Sequence, residues 1–111
     1  MLDDLVIFQK TYDFLLWINP AINKFPKNQK FVLGQKTELK ILELMHSMIL
    51  ANSASEKSEH MKQASVELDE LRVLIRLAKD LHYISIKKYE AAAEKMNEIG
   101  RLLTGWMNRF I

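Results

Sequence analysis

A chain of 111 residues with 49% hydrophobic side chains fits one domain, 1–111, with material for a core, which excludes global disorder. With 16 Lys and Arg against 14 Asp and Glu, the formal charge is only +2, so any charge-driven function rests on local placement. The absence of Cys excludes disulfides and thiolate metal sites, and 3 Gly with 2 Pro favour long helices over many short strands.

The N-terminal run MLDDLVIF carries acids where a secretory leader carries Lys or Arg, so no leader is expected. No run approaches the roughly 18 apolar residues of a membrane span. A cytoplasmic chain without a membrane partner is the resulting expectation. The overall reading is all-α: an up-down-up-down antiparallel four-helix bundle with short loops, its helices spanning about 3–24, 29–51, 55–82 and 85–109.

In the first helix Asp3 or Asp4 can cap the N-terminus. Leu5, Phe8, Tyr12, Leu15 and Ile22 fall on one seven-residue row, with Val6, Ile7, Phe14, Trp17 and Ile18 off it. Pro20 removes a backbone donor, and because the apolar pattern resumes at Ala21 and Ile22 a kink is favoured over a helix end. Phe25-Pro26 closes the helix, and Asn28 can cap the second. There Leu39, Leu42, Met45 and Ile49 read as the core row, while Ile41, Leu44, Met48 and Leu50 leave a second apolar side.

The stretch NSASEKS, residues 52–58, is the clearest break, and Ser53 with Glu56 has the spacing of a capping box for helix three. That helix carries the most regular seam of the chain. Met61, Ala64, Leu68, Leu71, Ile75 and Ala78 alternate in steps of three and four, as in a left-handed bundle, with Leu74 and Leu81 widening one flank. Ser85 caps helix four, whose row reads Ile86, Tyr89, Ala93, Met96, Gly100, Leu103, Met107 and Phe110. A glycine on a packing row implies close approach of another backbone. Helices one and two carry more apolar surface than one bundle needs, and the extra faces suit contact with another subunit.

Three sets of residues are candidates for chemistry. Glu43-x-x-His46 has the spacing of a di-iron bundle motif, but no second copy exists, so neither a metal nor any other cofactor is expected. Arg76 and His82 have the loose spacing of helical ribonucleases resembling the higher-eukaryote and prokaryote nucleotide-binding class, although Leu77 stands where a polar residue usually follows the Arg. Pairing of Arg76 with Asp80 is the structural alternative. Basic residues are the third and most promising set. Arg72, Arg76 and Lys79 share a helix face, Lys87 and Lys88 open helix four, and Lys24, Lys27 and Lys30 surround the first loop. Such surfaces contact phosphates without reading sequence.

Three stretches together resemble a known family: Lys24-Phe25-Pro26-Lys27 with Phe31 and Leu33-Gly34; Leu71-Arg72 through Arg76-Leu77-Ala78-Lys79-Asp80-Leu81; and Ile99-Gly100-Arg101-Leu102-Leu103 with Gly105-Trp106. In order and spacing they resemble the accessory variability determinant (Avd) proteins of diversity-generating retroelements, within a wider four-helix-bundle group encoded in intervening sequences of ribosomal RNA genes. The resemblance implies a non-enzymatic, homopentameric scaffold. Its basic surfaces bind nucleic acid, RNA or cDNA, and an error-prone reverse transcriptase. Arg72, Arg76 and Lys79 match basic positions of the family's third helix. A helical ribonuclease using Arg76 and His82, or a plain protein-interaction bundle, are the alternative readings.

Overall fold

The structure, a computed structural model, describes residues 5–110. Four long helices make up the bundle: α1 (Val6–Asn23), α2 (Gln35–Ser53), α3 (Ser58–Asp80) and α4 (Ile86–Phe110). Each packs on its neighbours in the order α1, α2, α3, α4 and back to α1, in a body measuring 43 × 23 × 21 Å. No strand occurs among the described residues. Asp3 and Asp4, the expected caps of α1, lie outside them.

Helix α1 runs through Pro20 and ends at Asn23, where the Lys24 and Phe25 N–H groups donate back to the carbonyls of Ala21 and Ile22. Phe25 precedes a proline, which disfavours further helix. The Pro26 carbonyl then accepts from the N–H groups of Gln29 and Lys30, opening a single turn, Lys27–Gln29, with no side-chain cap. Asn28 therefore does not cap helix two as expected. A π turn, Lys30–Gly34, follows and feeds into α2, with the Gln35 N–H reaching the Lys30 carbonyl. Gly34 is needed at this junction. A Cβ there would stand 2.9 Å from Ile22 Cγ2, a β-branched side chain with little room to turn.

The second break, residues 54–57, lies later in the chain than the expected helix bounds of 51 and 55 place it. Ser53 forms no capping box; its hydroxyl donates to the carbonyls of Ile49 and Leu50 as α2 ends. Lys57 caps that end instead, its ammonium donating to the carbonyls of Ala51 (2.8 Å), Asn52 (3.1 Å) and Ala54 (2.9 Å). These are orphan acceptors of a helix C-terminus and of the turn after it. Glu56 accepts from the Ser58 N–H, and that bond holds its carboxyl below the usual carboxylate range. Ser85 does cap α4, its hydroxyl accepting from the Lys88 N–H at 3.0 Å.

The seam of α3 is buried as the spacing predicts: Met61, Ala64, Leu68, Leu71, Ile75 and Ala78 are all in the core. The other rows need correction. In α1 the inward row is Ile7, Thr11, Phe14, Ile18 and Ile22, while Tyr12 is exposed and Leu5, Phe8 and Leu15 are half-buried. In α2 it is Thr37, Ile41, Leu44, Met45, Met48 and Ala51, with Ser47 on its α3 side. Leu39, Leu42 and Ile49 face solvent. In α4 Met96 and Leu103 are buried as expected, but Ala92, Ile99 and Trp106 take the inward places read as Ala93, Gly100 and Met107, and Ile86 and Phe110 are exposed.

One physical reason covers α1 and α2. Their inward rows contain hydroxyl residues, which a hydropathy pattern assigns to the surface. Thr11 and Thr37 are buried because their hydroxyls donate to the carbonyls of Ile7 (2.8 Å) and Leu33 (2.7 Å), one turn back. Ser47 donates to the buried Glu67 of α3 at 2.5 Å, and Gln63 adds a longer bond to the same carboxylate. Each polar group is satisfied locally, so its burial carries no large desolvation penalty.

Candidate nucleic-acid interface

The topology places the α1–α2 connection and the α3–α4 turn at the same end of the bundle. Phe25 from the first packs against Tyr83 from the second, ring centroids 5.5 Å apart and planes tilted by 46°. Two groups of basic residues, some fifty positions apart in sequence (~50, an order-of-magnitude span), thereby meet. Lys24, Lys27 and Lys30 arrive on one side, and Arg76, Lys79, Lys87 and Lys88 on the other. Asp80 and Glu90 are the acids beside the α3–α4 turn.

The individual side chains are held differently. Lys79 lies with Nζ 4.6 Å from the centre of the Tyr89 ring and 3.2 Å from Asp80. Arg76 is well exposed and only 3.8 Å from Asp80, so the pairing expected at i+4 is loose. Lys87 and Lys88 occupy the first turn of α4, which contains no acid. Cations at that end oppose the helix dipole, a cost of a few tenths of a kcal/mol or more (~0.3–1). Lys88 is compensated by Trp17 of α1, its Nζ 4.2 Å from the indole centre. Lys95, two turns further on, reaches the same ring at 4.9 Å. The sequence reading missed Trp17 as their seat; the seven-residue spacing of the two lysines was the available signal.

Arg72 does not join the pole. Its guanidinium pairs with Asp69 at 2.8 Å and lies over Gly100, where a Cβ would be 2.7 Å from Nη2. Gly100 thus accommodates a side chain of α3 and not a close backbone. On α2, Lys40 is also engaged: its hydrogen bond to Glu43 holds it above the usual lysine range, reinforced by Glu70 of α3 at 3.4 Å.

The turn that carries His82 is a helix stop. The N–H groups of Leu81, His82 and Tyr83 donate to the carbonyls of Leu77, Lys79 and Ala78, and His82 takes a left-handed φ of 64°. This is the Schellman arrangement, with His where Gly is usual. His82 therefore forms the stop of α3, and Arg76 lies exposed one turn before the last residue of that helix. Glu43 takes up Lys40, and among the described residues no three His, Asp or Glu side chains gather to hold a metal ion.

A family model described as bAvd-like matches residues 5–110. The chain belongs to the bAvd-like family. No curated protein matches it. The bAvd-like match spans nearly the whole bundle, so all four helices and both loops of the basic pole lie within it. It makes the chain an accessory protein of diversity-generating retroelements, in a family that is non-catalytic and associates with retroelement components. Among the described residues, no helix of this bAvd-like chain is long and apolar enough to cross a membrane.

Proposed function

We propose that the chain acts as one four-helix domain in a homo-oligomeric, pentameric scaffold in the cytoplasm. The scaffold binds template RNA or cDNA through phosphates and holds the reverse transcriptase on it during mutagenic copying. The observation that carries the proposal is the convergence of Lys24, Lys27, Lys30, Arg76, Lys79, Lys87 and Lys88 on one end, with the exposed Lys95 sharing the Trp17 ring with Lys88. A cluster of like charges at one pole adds fields that the small net charge hides. Lys87, which lacks the aromatic partner that Lys88 has in Trp17, is unfavourably placed for helix stability, which fits a site kept for binding. The assembly part rests on apolar side chains facing solvent along the π turn and α2: Val32, Leu39, Leu42 and Ile49, at coiled-coil spacing.

The test is RNA binding across a salt series by wild type and by a variant with Ala at Arg76, Lys79 and Lys87. The variant binds more weakly at low salt, and its slope of log affinity against log salt is shallower by about 2 units. Arg72→Ala, at a residue already engaged by Asp69, changes the slope less. Equal affinity and slope for wild type and the triple variant would remove the pole from the interface. Trp17 provides an internal signal, because phosphates that draw Lys88 and Lys95 away alter its emission while buried Trp106 stays constant.

A further inference from the structure

The α3–α4 turn leaves an open groove of about 750 Å³ within the basic pole. Tyr83, Ile84, Ile86 and Tyr89 give it apolar and aromatic walls, and Ile86, with 69% of its surface exposed, forms one lip. Both tyrosines are only half-buried, so part of each ring is open to solvent. Lys79 and His82 of the pole line the same groove, together with the carboxylates of Asp80 and Glu90. Aromatic and apolar walls with a few convergent polar groups are the usual make-up of a small-ligand site, and this volume is in the usual range.

The charges of the groove select among the parts of a nucleotide. Its carboxylates repel a phosphate that the surrounding cations attract. Lys79 and Arg76 partly offset Asp80, at 3.2 and 3.8 Å, but Glu90 forms no ion pair among the described residues. A nucleobase avoids that repulsion. It is flat and uncharged, it stacks on aromatic rings, and its N–H groups donate to carboxylates. Lys79 joins the two requirements. Its Nζ lies 4.6 Å from the centre of the Tyr89 ring, so the cation that would meet a phosphate stands beside the ring that would meet its base. An apolar side chain of a protein partner also suits the walls, but it offers no donor to the acids and no anion to Lys79. We infer that the groove seats one unpaired base of a single-stranded nucleic acid, against Tyr83 and Tyr89, while the flanking phosphates lie on the lysines of the pole. The inference rests on the nucleic-acid reading above and adds a preference for strands whose bases are free. A base in a duplex keeps both faces in the stack and cannot enter.

Fluorescence anisotropy of the full chain on two labelled DNA strands of equal length tests this. One strand is an ordinary unstructured sequence; the other carries hydrogen in place of every base. Both present the same phosphates. Wild type should bind the ordinary strand about 10-fold more tightly, with equal slopes of log affinity against log salt for the two. Tyr89→Leu, which keeps apolar bulk and removes the ring, should abolish the difference, and Tyr89→Phe should retain it. Circular dichroism checks that each variant folds, and the comparison of strands on wild type decides the matter even if Tyr89→Leu does not. Equal, salt-dependent binding of both strands by wild type overturns the base seat and leaves the phosphate pole standing. A difference that persists in folded Tyr89→Leu places the bases elsewhere and overturns it too. Absence of salt-dependent binding to either strand overturns the nucleic-acid reading with it.

Discussion

His82 holds a conformation that its side chain resists. Its φ of 64° places Cβ against the following carbonyl, which costs an L-residue roughly 1–2 kcal/mol. Gly avoids that cost but has more freedom to lose on folding, about 0.5–1 kcal/mol. The backbone bonds that define the turn, Tyr83 N–H to Ala78 at 2.8 Å and His82 N–H to Lys79 at 2.9 Å, need no side chain. The imidazole is exposed, so its removal deletes no core packing. His82→Gly should therefore stabilise the fold by about 1 kcal/mol, raising Tm by ~4 °C for a chain of this length. Urea and thermal melts followed by helical ellipticity measure both. The same variant tests the ribonuclease reading, because it removes the histidine that this reading pairs with Arg76. A stabler protein with unchanged handling of labelled RNA is the expected pair of results. A melt equal to or below wild type would refute the strain argument, and RNA cleavage by wild type that is lost in His82→Gly would restore the enzyme.

Gly100→Ala should leave the fold at least as stable as wild type, because the group a Cβ meets is the end of the flexible Arg72 side chain, and Ala adds up to about 1 kcal/mol of helix propensity. A loss of more than about 1 kcal/mol in urea would show that the Arg72 seat carries the α3–α4 contact. Lys57→Ala should destabilise by roughly 1–2 kcal/mol, since three carbonyls at the end of α2 lose their donor, and it should speed hydrogen exchange of the last turn of α2. Exchange rates there equal to wild type would mean that solvent replaces the ammonium at no cost.

The architecture was legible because α3 has a single apolar stripe, and its six-residue seam is buried as its spacing requires. Helices α1 and α2 offered two apolar stripes each, and hydropathy chose the wrong one. The inward stripe of α1 contains Thr11, that of α2 contains Thr37, and Ser47 is buried beside it, each made burial-competent by a hydrogen bond that no pattern records. The stripe read as the core of α2, Leu39, Leu42 and Ile49, is the one left outside, so the surplus of apolar surface was correctly read although its location was not. In the candidate site, the basic residues were identifiable one by one. Their gathering at one pole depends on Phe25 meeting Tyr83, and the withdrawal of Arg72 depends on the space over Gly100; both are tertiary contacts.

The Phe25–Tyr83 contact also sets an order of events during synthesis. A growing chain that has completed only its first hairpin displays Lys24, Lys27 and Lys30 as isolated cations with little hold on a polyanion. The concentrated field arises when the second hairpin closes and the two aromatic rings touch. On the proposed function, competence for RNA would then depend on completion of the tertiary structure.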